Sequence, residues 1–201
     1  MKILSFTTLY PNDQQPRHGV FVEQRLRKLS QEEGVEIKVI APIPWFPFQS
    51  EQFGGYAKYA QVPKKEKRFG IDIYHPRYFV IPKVGMLVTP FLLAIAMIPV
   101  IKNILDDGYD FDLIDAHYYY PDGIAAAIVC KIFNKPFTIT ARGTDINLIP
   151  IYKWPKKMIL WAAKQANASI TVCEALRQEL ISLGGDKDKI LTLRNGVDLD
   201  F

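Results

Sequence analysis

Arg142, Gly143 and Asp145 stand within four positions of one another, and each type is suited to handling sugars and phosphates. A guanidinium grips oxyanions in a two-pronged fork, a glycine leaves the backbone open to a ligand, and a carboxylate accepts from hydroxyls. A plain Arg–Asp surface pair is the alternative. Upstream, His117 is followed by three tyrosines, Pro121, Asp122 and Gly123. An imidazole there can hydrogen-bond a substrate or move protons near neutral pH, although a lone histidine also serves in structure. Asp122 reads either as a polar ligand contact or as the cap of the helix that follows. Nearest the N-terminus, Arg17, His18 and Gly19 precede a helical pattern; Gly19 either admits an anion to the helix N-terminus or makes a simple turn.

The elements around these residues place all of them at one end of a sheet. Short, β-branched, nearly continuous apolar runs at 2–7, 35–41, 71–74, 113–116, 137–141, 169–172 and 190–193 read as buried parallel strands. Helical patterns at 20–31, within 87–105, and at 124–133, 156–165 and 174–182 separate most of them. Such alternation predicts an α/β fold, a Rossmann-like doubly wound and mainly parallel sheet flanked by helices. Its ligand crevice lies beyond the carboxyl ends of the strands. Gly19, His117, Asp122, Arg142, Gly143 and Asp145 all follow such ends.

Composition narrows the function. The chain has 201 residues, 49% hydrophobic and 23% charged, with a net charge of +4, which suits one globular domain and not a nucleic-acid binder. Two cysteines, Cys130 and Cys173, lack the spacing of a disulfide framework or a zinc site, so a cytoplasmic location is expected. The first loop has no GxGxxG and the second strand ends in Ile40, Ala41 and Pro42, which excludes the dinucleotide fingerprint. Three DxD matches, at Asp110/Asp112, Asp186/Asp188 and Asp198/Asp200, fall at the wrong end of the sheet, in a helix–strand loop and at the chain end; no metal is expected. The long connection 42–70 is read as a functional loop, its basic run Lys64, Lys65, Lys67 and Arg68 as solvated loop. The apolar stretch 86–101 falls short of the ~20 residues that span a bilayer. It reads as a core helix or, with the basic run, as a seat on a membrane surface.

In their order, these segments resemble the N-terminal domain of the family 4 (group 1) retaining glycosyltransferases with the GT-B fold. The resemblance rests on Arg17-His18-Gly19-Val20-Phe21-Val22, on His117 to Gly123, and on Arg142-Gly143-Thr144-Asp145. It continues through Val172-Cys173-Glu174-Ala175-Leu176 and Asn195-Gly196-Val197-Asp198, and so covers essentially the whole chain. It implies one half of a two-domain enzyme that transfers a sugar from a nucleotide diphosphate sugar, with retention and without a metal. The acceptor would be a glycan, a lipid-linked sugar or a small molecule. It implies catalytic roles for His117, Arg142 and Asp145, and substrate contacts from His18, Gly19, Asp122, Gly143 and Asn195. The donor-binding half, with its Glu-x7-Glu motif, is expected beyond this chain, which alone should be inactive; no Glu here has another Glu eight positions on. Many members carry His where this chain has Arg142, and an arginine cannot shuttle protons near neutral pH. A non-catalytic α/β module that binds carbohydrate or a small anion is the alternative.

Overall fold

A computed structural model describes residues 1–45, 59–81 and 85–196. Pro47, Gly54 and Gly55 of the long connection, the Asp198/Asp200 pair, and Val197 with Asp198 of the closing segment lie outside the described residues.

Among the described residues ten strands form between the helices: β1 (Lys2–Phe6), β2 (Glu36–Ile40), β3 (Ile43–Trp45), β4 (Lys65–Arg68), β5 (Ile71–Tyr74), β6 (Arg77–Phe79), β7 (Leu113–His117), β8 (Phe137–Ala141), β9 (Ala168–Thr171) and β10 (Ile190–Thr192). Eight make one sheet in the order β10-β9-β8-β7-β1-β2-β5-β4, parallel throughout except for β4 at the edge. β3 and β6 make a separate parallel pair. The helices are α1 (Val20–Leu29), α2 (Gly85–Asp106), α3 (Ile124–Phe133), α4 (Thr144–Asn147), α5 (Lys153–Gln165) and α6 (Glu174–Ser182), with a π-type turn at Tyr119–Gly123.

Alternation along the strands divides the interior in two. Leu4, Phe6 and Ile40 join one core with residues of α2, α3, α5 and α6, while Ile3, Val39 and Ala41 join a second core with Val22 and Leu26 of α1. Successive strand residues point to opposite faces, so the sheet is covered on both. The doubly wound architecture expected from the sequence is present. Toward β7 and β8 the alternation turns chemical: Ile114, Ala116, Ile139 and Ala141 enter the first core, which leaves Asp115, His117, Thr138 and Thr140 for the other face.

Beyond Lys64 the basic run is not loop. It forms β4, which pairs antiparallel with β5, and its charges meet acids: Lys65 and Lys67 lie 3.9 Å from Asp72, and Arg68 Nε donates to Glu23 at 2.7 Å. The alternation of Lys65, Glu66, Lys67 and Arg68 suits a charged edge that discourages pairing with another sheet. α2 is a core helix on one of its faces. It is long and apolar enough to span a membrane, yet Leu93, Met97, Ile101 and Ile104 are fully buried while Leu87, Phe91 and Ile95 stand exposed on another face.

Candidate functional site

The carboxyl ends of β1, β7 and β8 converge with the start of α1. His117 ends β7 fully buried, and Arg142 follows β8 with its guanidinium folded back over it: Arg142 Nη2 donates to His117 Nδ1 at 2.8 Å. That bond needs the Nδ1 lone pair, so the imidazole is neutral with its proton on Nε2. Burial, the largest cause, also pushes the His117 pKa down, and the Arg142 charge works the same way. Nε2 faces Asp115 Oδ2 at 3.2 Å, close enough to feel the charge but off the hydrogen-bond line. Asp115 stays ionised: burial opposes its charge, but the Arg25 charge and a 2.9 Å hydrogen bond from Thr138 Oγ1 hold its pKa low.

Arg142 is held at several points. Its Nη1 donates to Asn195 Oδ1 at 3.1 Å and its Cζ lies 4.9 Å from the Phe21 ring centre, while its buried Nε has no partner among the described residues. Burial and then the Arg25 charge lower its pKa to about 10, so it remains a cation at neutral pH. Asp145 does not grip this guanidinium, as the Arg–Asp spacing had suggested. It is fully buried, and its carboxylate accepts backbone N–H bonds from Tyr119 at 2.8 Å, Gly143 at 2.8 Å and Arg142 at 3.0 Å. Asp145 therefore shapes the loop that aims Arg142. Gly143, at φ 134°, supplies a backbone conformation that L side chains rarely adopt.

Asp122 does not cap α3. Its buried carboxyl reaches across to the β1 end, where Thr8 N–H donates to Oδ2 at 2.7 Å and Thr8 Oγ1 lies 3.0 Å from both oxygens. Burial outweighs these bonds and pushes its pKa up to about 8. His18 Nε2 donates to the Thr8 carbonyl at 3.0 Å, so Thr8 gathers both residues. Gly19 starts α1 at φ 68°, and a Cβ there would lie 2.2 Å from the Leu9 carbonyl oxygen. The close approach that demands glycine is thus made by the chain's own backbone. The free N–H groups of the first turn still point out of the helix end.

The structure brings His117, Arg142 and Asn195 into direct contact, and joins Asp145 and Gly143 to them through the backbone. His18, Gly19 and Asp122 form an adjoining group around Thr8. Sequence reasoning assigned no role to Asp115, Tyr118, Phe21 or Arg25. Asp115 was legible, since positions 115 and 117 share a strand face. Phe21 and Arg25, one turn apart on α1, were also visible as spacing. Tyr118 was not; its φ of 87° is strain that only the fold reveals. Among the described residues, no three His, Cys, Asp or Glu side chains gather as metal ligands. Two depressions lie elsewhere, one beside Tyr109 and one beside Trp161, and within the polar cluster His117, Asp122 and Asp145 are fully buried.

Residues 19–201 match the sequence model of Glycosyltransferase Family 4. The chain belongs to this family. A Bacillus subtilis (strain 168) relative, TuaC, whose name describes a glycosyltransferase of teichuronic acid biosynthesis, is 33% identical over 196 residues. The match covers 96% of this chain and 49% of TuaC, so the chain spans about half the length of that relative. Among solved structures, Anabaena Alr3699/HepE in complex with UDP-glucose superposes with a TM-score of 0.58 at 17% identity, over 100% of this chain and 45% of that one. The Neisseria meningitidis UDP-GlcNAc 2-epimerase bound to UDP-GlcNAc gives 0.55 at 13% identity, over 97% and 47%. At these identities the likeness is one of fold: this chain matches a single Rossmann-like domain of the GT-B architecture.

Proposed function

We propose that this chain is the N-terminal, acceptor-side domain of a retaining glycosyltransferase. The enzyme transfers a sugar from a nucleotide diphosphate sugar to a glycan, a lipid-linked sugar or a small acceptor, without a metal. One observation carries the reading: a guanidinium is locked at the carboxyl end of the sheet by a neutral buried histidine, an asparagine and an aromatic ring, with donor hydrogens to spare. Family membership supports transfer chemistry, and the neighbours solved with UDP-sugars make a nucleotide sugar the natural donor.

In the proposed reaction, Arg142 and the first turn of α1 face the sugar and phosphate oxygens. Charge builds on the leaving diphosphate, and fixed donors stabilise it without reorganising. His117 stays neutral and positions Arg142, and Asp145 fixes the loop between them. A second domain binds the nucleotide. The domain sits at the cytoplasmic face of the membrane when its acceptor is lipid-linked, with Leu87, Phe91 and Ile95 of α2 toward the lipid; their exposure on a helix whose other face is buried supports this.

The test is turnover by an enzyme that joins this chain to its second domain. Acceptor-dependent release of nucleoside diphosphate, with the donor's anomeric configuration kept in the product, is the expected outcome. Tight nucleotide-sugar binding without release under any acceptor would favour the non-catalytic binding module. For the membrane contact, flotation with anionic vesicles should be lost on replacing Leu87, Phe91 and Ile95 with Ser, and unchanged flotation would contradict it.

A further inference from the structure

Between Asp145 and Glu174 the chain carries four lysines and no acid. The same stretch holds apolar side chains that the fold leaves uncovered: Leu148 is 63% exposed, Ile151 83%, Tyr152 54% and Trp154 59%. Exposed side chains of this size, set side by side, mark a surface that meets something. The pattern continues along α5. That helix buries Pro155, Ile159, Ala162 and Ala163. On its opposite side Trp154, Lys157, Trp161 and Lys164 follow at helical spacing, aromatic and cation in turn, and all four are exposed. The Lys157 ammonium lies 4.9 Å from the Trp154 ring centre. Among the described residues no carboxylate pairs with Lys153, Lys156, Lys157 or Lys164. The charges of β4 are different, since Asp72 and Glu23 answer them.

Aromatic rings suit the depth of lipid headgroups, and lysines run their apolar stems along such a layer while their ammoniums reach anionic phosphates. A two-fold contact with a second copy of the chain would instead set lysines against lysines. The patch also adjoins the candidate site. Asp145, three residues before Leu148, accepts from Tyr119 N–H at 2.8 Å, and Tyr120 Oη donates to the Met86 carbonyl. The patch and the start of α2 therefore meet at the Tyr119–Gly123 turn, beside the ends of β7 and β8.

We propose that residues 148–157 dock the domain on an anionic lipid surface, with Ile151, Tyr152 and Trp154 in the headgroup layer and Lys153, Lys156 and Lys157 on its phosphates. The docking gives a lipid-linked acceptor a second point of contact beside α2; it rests on the transferase reading for its purpose but can fail separately.

The test is co-sedimentation of the 201-residue chain with vesicles of phosphatidylcholine and phosphatidylglycerol, and with phosphatidylcholine alone, at low and high salt. The wild-type chain should bind the anionic vesicles in preference, and salt should weaken binding. Lys153→Gln, Lys156→Gln and Lys157→Gln should each weaken it by about fivefold. Ile151→Ser combined with Trp154→Ser should abolish it, with circular dichroism establishing that each variant is folded. A folded double variant that binds as the wild type does would overturn the proposal, as would equal binding to both kinds of vesicle or no binding by the wild type. Loss of binding only on changing Leu87, Phe91 and Ile95 would assign the membrane to α2 and remove this surface. Self-association that the double variant abolishes, without vesicle binding, would assign the patch to a second copy instead. Patch-dependent binding by a two-domain enzyme that transfers sugar only to soluble acceptors would keep the docking surface and remove the lipid-linked acceptor.

Discussion

Burial sets the charge states at the strand ends, and they pull stability in opposite directions with pH. His117 is held neutral, so below the unfolded imidazole value of ~6.5 the unfolded chain binds more protons and stability falls with acid. Asp122 is the reverse case: between the unfolded carboxylate value of ~3.9 and its folded value of about 8, the folded chain holds the extra proton. Stability therefore falls as pH rises through that window. Asp122→Asn keeps the shape and can satisfy Thr8 through its amide, so its melting temperature relative to wild type should climb from pH 5 to pH 8. A constant difference between the two would place the Asp122 proton elsewhere. Asp115→Leu removes the charge facing His117 Nε2 and should lower the imidazole pKa further, read from the ring nitrogen shifts in NMR. The sequence placed the residues of this cluster at one end of the sheet but not their bonds. Asp145 sits three positions from Arg142 and suggests a side-chain pair, yet the tight turn at Gly143 brings its oxygens to backbone N–H groups instead. Spacing alone does not carry that turn.

At the scale of elements, α2 and α1 show what periodicity reveals and what it hides. An unbroken apolar run such as α2 gives no preferred face in sequence, and only the sheet decides that Met97 is buried and Phe91 is not. Met97→Ala should cost about 2–5 kcal/mol in urea unfolding. Phe91→Ser should stay within about 0.5 kcal/mol. Equal losses would mean that both faces are packed. At the head of α1, Gly19→Ala adds a left-handed strain of roughly 1–2 kcal/mol to a clash with the Leu9 carbonyl, and a large fall in the unfolding midpoint should follow. Strands β1, β2, β5 and β7–β10 were legible because buried parallel strands are apolar throughout. β4 was not, since a charged edge strand carries the composition of a loop.

The whole molecule is a domain whose polar cluster lies largely buried at the carboxyl ends of its strands, with Arg142 partly exposed. A polar cluster at one end of the sheet is what the proposed reading needs on one side of a cleft, and the chain covers about half of TuaC. Folding and catalysis should separate: the 201 residues should unfold cooperatively and transfer no sugar alone, and any turnover by the isolated chain would contradict the division into halves. Family and architecture were legible in the order of short motifs. The donor and acceptor were not, because the residue types in these motifs suit sugars and phosphates in general and their spacing selects no particular one. The central claim, that the carboxyl ends of β7 and β8 face the reacting sugar, rests on Arg142. In the two-domain enzyme, kcat/KM of Arg142→Ala and Arg142→His should be measured beside their melting curves. The loss of one charge-assisted contact, roughly 1.5–3 kcal/mol, should lower kcat/KM by about one to two decades in Arg142→Ala. Arg142→His, which can still donate to an oxygen, should lose less. Wild-type kcat/KM in a folded Arg142→Ala enzyme would contradict the account.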